Sequence, residues 1–213
     1  MTLITEKGTN GLLNPTFREF LLTPTPKTEF TAIEANELEE TLKAGLLQYP
    51  GLGISATQLG IKKRACYIKF GDEENGRELF LLNPVITYRS NEGFLFYEGC
   101  LSIPKTVQNP LKTIRACKVV VQTDNLGELT FEINREGDKE QVSVETMMTV
   151  IVQHEIDHLD GITIKDRVYS TTRRVKTIPG RNSIVVMKSP EGELVEVKYK
   201  KANDYYLQGY EIV

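Results

Sequence analysis

The sequence contains no tryptophan, and only three cysteines and two histidines in 213 residues. An odd, sparse cysteine count is unlike the disulfide framework of a small secreted domain. A chain of this length buries about 70% of the surface its unfolded form exposes, so it needs no such framework. No apolar run approaches the ~18 residues of a membrane-spanning helix. Met1–Lys7 lacks the charged start and apolar core of a signal peptide, and no Arg-rich, acid-poor transit leader is present. The net charge of −3 makes no global electrostatic case for nucleic acid. With 40% apolar and 26% charged residues and ordinary glycine and proline, the chain is not collagenous, coiled-coil or mostly disordered. These exclusions lead to the expectation of a reduced, soluble, cytoplasmic monomer without membrane or nucleic-acid specificity.

Residues 1–30 read as a largely irregular lead-in, interrupted by Pro15, Pro24 and Pro26. A helix is predicted from Ala32 to Tyr49. Thr31 and Glu34 are spaced as a capping box, Ile33, Leu38, Leu42 and Leu46 recur at helical spacing, and Pro50-Gly51 ends the run. Strands are predicted over 64–70, 79–88, 114–122 and 128–134, with a charged loop at 135–141. A second helix runs from Ser143 to Leu159 and closes on Asp160-Gly161, the glycine suiting a left-handed cap. Residues 183–188 and 193–199 read as a hairpin around Ser189-Pro190-Glu191-Gly192. The fold class is therefore α+β, with antiparallel strands wrapped around a central helix and a C-terminal hairpin and tail as an extension.

Both histidines lie in one helical turn, as His154-Glu155-Ile156-Asp157-His158. Met147, Val150, Ile151, His154 and His158 fall on one side of that helix, its apolar side. Buried imidazoles need polar partners. A divalent ion satisfies both, because i, i+4 spacing brings two rings to one centre. Glu155 lies one position round from His154, where it can act on water at the metal without being a ligand.

Two histidines leave a catalytic centre one protein ligand short, and a thiolate or a carboxylate could complete it. Cys66 and Cys117 sit in predicted strands and read as core. Cys100 sits beside Gly99 on a bend and is a credible ligand. A zinc endopeptidase with a downstream third ligand, and a closed Cys₂His₂ structural site using Cys117, remain alternatives.

At this point the residues resemble peptide deformylases. Gly51-Leu52-Gly53-Ile54-Ser55-Ala56-Thr57-Gln58 is similar to the first family signature, Glu98-Gly99-Cys100-Leu101-Ser102 to the second, and His154–His158 to the third. The resemblance covers about residues 10–170. It implies hydrolysis of the N-formyl group of formylmethionyl nascent peptides, with release of formate. Cys100, His154 and His158 become the metal ligands, and Glu155 the general base and acid. The Gln58 amide and the Leu101 backbone N–H become donors to the developing oxyanion. Gly53, with its neighbour Leu52 and with Gly99, is assigned to substrate binding, and Val150 and Ile151 to the methionine pocket. Glu98 is expected to pair with Arg115. Ligand chemistry alone points to zinc. The resemblance implies iron(II) in the cell, with zinc, nickel or cobalt after purification.

Three departures stand out. Ser55 replaces an alanine of the first signature, Lys105–Thr113 is longer than usual, and the C-terminal part does not resemble the basic helix that some members use on the ribosome. The ribosome is a candidate partner without an evident docking element here. The expected division is a catalytic domain, 1–180, followed by the extension, 181–213.

Overall fold

The computed structural model describes residues 1–7, 14–71, 76–134, 142–169, 184–198, 201, 205 and 211–212. The chain divides into two compact units, Met1–Tyr169 and Ser170–Val213. The charged loop at 135–141 and the expected boundary at 180/181 lie outside the described residues. No helix among the described residues is long and apolar enough to cross a membrane.

In the first unit, α1 (Pro15–Leu21) and α2 (Ala32–Gln48) precede β1 (Gly53–Ser55) and a 3₁₀ turn, Ala56–Leu59. There follow β2 (Ala65–Phe70), β3 (Arg77–Leu82), β4 (Val85–Arg89), β5 (Gly93–Glu98), the single turn α3 (Lys105–Gln108), β6 (Leu111–Ala116), β7 (Lys118–Thr123), β8 (Gly127–Glu132) and α4 (Val144–Leu159). Strands pair antiparallel throughout, in the orders β1-β2-β3, β4-β7-β8 and β5-β6. The second unit holds β9 (Ile184–Lys188), β10 (Leu194–Lys198) and β11 (Glu211–Ile212), in the order β10-β9-β11. The hairpin predicted around Ser189–Gly192 is the β9–β10 pair.

The period-two geometry of β2 explains its apolar run from Ala65 to Ile68. Ala65 and Tyr67 point to one face and pack with Leu38, Leu42 and Leu46 of α2. Cys66 and Ile68 point to the other and pack with Ile151, Val152, Ile156 and Leu159 of α4. A sheet covered by a helix on each face has no polar side to show in its sequence. Thr31 caps α2 in the expected box, accepting from the Glu34 N–H while Glu34 accepts from the Thr31 N–H. Ile33, however, lies in the exposed first turn and does not pack.

Several elements differ from the sequence reading. The lead-in contains α1, whose Phe17 and Leu21 are buried. Pro15 occupies the first helical turn, where a missing N–H costs nothing, and the Asn14 side chain caps the helix by accepting from the Thr16 N–H. The run 79–88 is two strands, broken at Asn83, whose φ is +50°, and at Pro84, which cannot donate to a ladder. The run 114–122 divides at Cys117 into strands of different sheets. Strand β5 also exists, pairing with β6 from Gly93↔Ala116 to Glu98↔Leu111.

The C-terminus of α4 is held by one buried arginine. Arg64 donates to the carbonyls of Leu159, Thr25 and Pro84 and to the Asp160 carboxylate. A cation there satisfies orphan carbonyls and opposes the negative end of the helix dipole. Gly161 follows with φ +72°, and a Cβ on it would stand 2.9 Å from the Pro24 nitrogen. That position admits only glycine without a backbone shift.

Candidate active site and metal centre

Helix α4 starts where expected, with the Ser143 hydroxyl accepting from the Thr146 N–H. Its burial is not one-sided: every residue from Met148 to Leu159 is buried. The helix lies inside the unit rather than on its surface, so its polar groups must be satisfied internally. Gln153 bridges to both backbone groups of Ala116. Asp157 accepts from Arg115 and from Arg167.

His154 uses Nδ1 to contact Glu98 Oε2 at 2.8 Å. A carboxylate only accepts, so Nδ1 carries the proton and Nε2 is left as a ligand atom. His158 turns Nε2 toward Cys100 Sγ, 3.3 Å away. The ligand atoms of Cys100, His154 and His158 all lie within 4.8 Å of one another.

Cys100 reaches this point through a bend after β5. A Cβ on Gly99 would approach the Thr106 carbonyl oxygen to 2.8 Å, so the tight passage requires glycine. Thr106, buried beneath the bend, accepts from the Cys100 N–H at 2.9 Å and donates to the Ile103 carbonyl at 2.7 Å.

Behind the histidines runs a chain of buried charge. Glu98 accepts from Arg115 Nε and a terminal nitrogen at 2.7 Å each, and from the Thr113 hydroxyl. Arg115 in turn reaches Asp157 at 2.5 Å. The expected Glu98–Arg115 pair is thus one span of a longer network. Burial alone would raise the Glu98 carboxyl, but His154 and Arg115 hold it well below the usual carboxylate range. Burial would likewise raise the Cys100 thiol; the neighbouring imidazoles bring it down to about 5. His154 is opposed by burial yet raised well above its ordinary value by Cys100 and Glu98. Burial pushes Glu155 up. A thiolate facing two imidazoles, one backed by a carboxylate, is a donor set that fits zinc or iron(II), so these three residues could hold such an ion. Glu155 Oε2 and His158 Nδ1 are the buried side-chain atoms without a hydrogen-bond partner among the described residues.

A cavity of about 290 Å³ opens on this cluster. Leu52, Gly53, Gln58, Gly99, Cys100, Leu101, Val150, Ile151, His154 and Glu155 all contribute to its wall, while His158 is buried and does not line it. Gly53 lies against Glu155, for a Cβ there would come within 2.7 Å of Oε1. The Gln58 amide is buried, with Oε1 on the Ser55 N–H and Nε2 on the Ser102 hydroxyl.

Sequence reasoning did not single out Asp157, Thr106 or Ser102. Asp157 had a partial signal: an acidic side chain in the turn that carries the histidines needs a cation once that turn is buried. Thr106 had none, because its role depends on how the chain folds back after Ile103. Neither Cys66 nor Cys117 joins the cluster among the described residues, which removes the closed Cys₂His₂ alternative. Among the described residues no carboxylate downstream of His158 joins the cluster, as the endopeptidase alternative would require.

The family model described as polypeptide deformylase matches residues 18–174. A peptide deformylase of Desulfitobacterium hafniense is 36% identical over 149 residues, spanning 70% of this chain and 87% of that protein. The crystal structure of a probable peptide deformylase from Synechococcus phage S-SSM7 superposes with a TM-score of 0.59 at 27% identity, covering 78% of this chain and 99% of that one. The Met-Ala-Ser-bound class I type b enzyme of Acinetobacter baumannii gives a TM-score of 0.57 at 26% identity, covering 79% and 99%. The mixed α/β fold with antiparallel sheets and the aligned length together lead to one assignment: the chain belongs to the peptide deformylase family of hydrolytic enzymes.

Proposed function

We propose that this protein removes the N-formyl group from formylmethionyl nascent peptides, releasing formate, with a divalent metal held by Cys100, His154 and His158. The observation that carries the proposal is the convergence of that thiol and two imidazoles beside a carboxylate, Glu155, with an unpartnered oxygen at a cavity wall. The finer description of the fold belongs to the same reading: α4 is the central helix that presents the histidines, and residues 1–180 form the catalytic domain, with 181–213 as its hairpin and tail extension. The ion in the cell is taken as iron(II), with zinc, nickel and cobalt as substitutes.

When bound, such a cation supplies Lewis acidity, lowering the pKa of water and polarising a carbonyl oxygen. Glu155 accepts the proton of the attacking water and passes it to the departing amine. Burial raises its pKa, which suits a carboxyl group that must carry a proton between two steps. Gln58 Nε2 and the Leu101 N–H donate to the formyl oxygen as charge builds on it; one such donor contributes roughly 10²–10³ in rate.

Strand β1 is the edge of its sheet and β5 the edge of another, and both border the cavity. The backbone at Gly53 and at Gly99 is therefore available to an extended peptide laid between the edges, while Leu52, whose carbonyl accepts from the Lys69 N–H, contributes as a wall residue. Val150 and Ile151 supply an apolar wall for a methionine side chain. The Met-Ala-Ser held by the Acinetobacter enzyme supports a substrate of that kind.

The test is formate release from formyl-Met-Ala-Ser by the zinc- or iron-loaded protein, with and without a chelator. Glu155→Ala should keep the metal while kcat falls about a thousandfold. Near wild-type turnover by that variant would remove Glu155 from the mechanism, and chelator-insensitive turnover would remove the metal.

A further inference from the structure

Ser55 is the position where this chain departs from the first signature, and its hydroxyl is engaged. Gln58 Oε1 stands 2.9 Å from the Ser55 backbone nitrogen and 3.2 Å from Ser55 Oγ. An N–H can only donate, so the amide must turn its oxygen to Ser55, and its NH₂ faces the other way. One amide proton goes to Ser102 Oγ at 3.2 Å, and the second is left for the cavity that Gln58 lines.

The direction of the remaining bond follows from counting protons. Ser55 Oγ also lies 3.0 Å from Thr57 Oγ1. An amide oxygen cannot donate, so the single Ser55 proton goes to Gln58. The Thr57 proton must then go to Ser55. The order is Thr57 to Ser55 to Gln58 Oε1. Ser55 and Thr57 are fully buried and Gln58 nearly so, so water does not compete for these groups. Hydrogen bonds in such a chain polarise one another.

We propose that Ser55 is a positioning residue for the deformylase reaction: its hydroxyl, backed by Thr57, locks the Gln58 amide with Nε2 toward the formyl oxygen and strengthens Nε2 as a donor. This rests on the reading of Gln58 as an oxyanion donor. The terminal torsion of a glutamine is soft, with two broad wells. With alanine at 55, the backbone N–H alone opposes rotation of the amide; with serine, two donors on one oxygen do. Alanine is serine without the hydroxyl, so it fits the buried site and Ser55→Ala isolates that group.

Ser55→Ala should lower kcat about three- to tenfold, the net worth of one neutral hydrogen bond, with KM unchanged. Made on a Gln58→Leu background, the same change should cost nothing, because the group through which it acts is gone. Equal losses in both backgrounds, or no loss in the first, would overturn the proposal in favour of a packing role. A second readout is independent of turnover: ¹⁵N correlation spectra of the zinc-loaded protein, with the Gln58 side-chain amide assigned by its absence in Gln58→Leu. Ser55→Ala should shift both Gln58 Nε2 proton resonances, and unmoved resonances would overturn the contact. Should wild-type protein release no formate, the proposed function falls by itself, and the spectra still decide whether Ser55 holds Gln58.

Discussion

Replacing Arg115 with methionine tests whether the buried charge network holds the proposed metal centre together. The Arg115 side chain is 1% exposed and makes three short bonds, two to Glu98 and one to Asp157. Without it Asp157 still has Arg167, at 2.6 and 2.9 Å. Glu98 retains only the Thr113 hydroxyl and His154, so it becomes the uncompensated buried charge. Breaking such a pair from one side costs about 3–5 kcal/mol. With a urea dependence of about 2 kcal/mol/M, the denaturation midpoint should fall by roughly 1.5–2.5 M. Because Glu98 orients the His154 ring, zinc affinity measured by competition should drop about 10–100-fold as well. Adding Glu98→Gln to Arg115→Met should recover stability, since the stranded charge is then removed. The reasoning fails if Arg115→Met costs less than about 1 kcal/mol. It also fails if Glu98→Gln is as harmful on the Arg115→Met background as in the wild type.

Other outcomes follow from the same geometry. Gly161→Ala should lower the melting temperature by more than Gly127→Ala: both glycines have positive φ, but only Gly161 faces backbone atoms within 3 Å, and the difference reads that contact. Cys100→Ala should abolish stoichiometric zinc binding by elemental analysis, whereas Cys66→Ala and Cys117→Ala should retain it. Glu34, held low by the Thr31 backbone N–H, then the Thr31 hydroxyl and Lys63, has a folded pKa below its ordinary 4.5. A depressed carboxylate stabilises above its unfolded pKa, and that contribution disappears as pH falls through the folded value. The melting temperatures of wild type and Glu34→Gln should therefore differ at pH 6 and converge toward pH 3.

What could be read from the chain was local. A capping box, a helical stripe and an i, i+4 histidine pair are properties of one turn of helix, so α2 and the spacing in α4 were legible from residue order. The hairpin around Ser189–Gly192 was legible for the same reason. Errors arose where a residue carries two meanings: Pro15 breaks a helix interior but opens a helix end, and Asn83-Pro84 looks like part of an apolar run until the backbone turns there.

The approach of Cys100 to His158, 58 residues apart, has no counterpart in any local pattern. The resemblance to known signatures anticipated it, whereas residue order alone left a thiolate and a carboxylate open and marked Cys100 as a credible ligand. Tertiary structure decided it by stacking α4 beneath the β1–β2–β3 sheet and folding the bend after β5 over Thr106. It likewise decided that Asp157 faces arginines, that α4 is buried on all sides, and that the Ser55 hydroxyl meets Gln58. The sequence by itself determined which helix carries the imidazoles and how they are spaced, because helical periodicity is set by neighbouring residues. Which thiol, which carboxylates and which amide meet them depended on packing, because those distances are set by segments far apart in the chain.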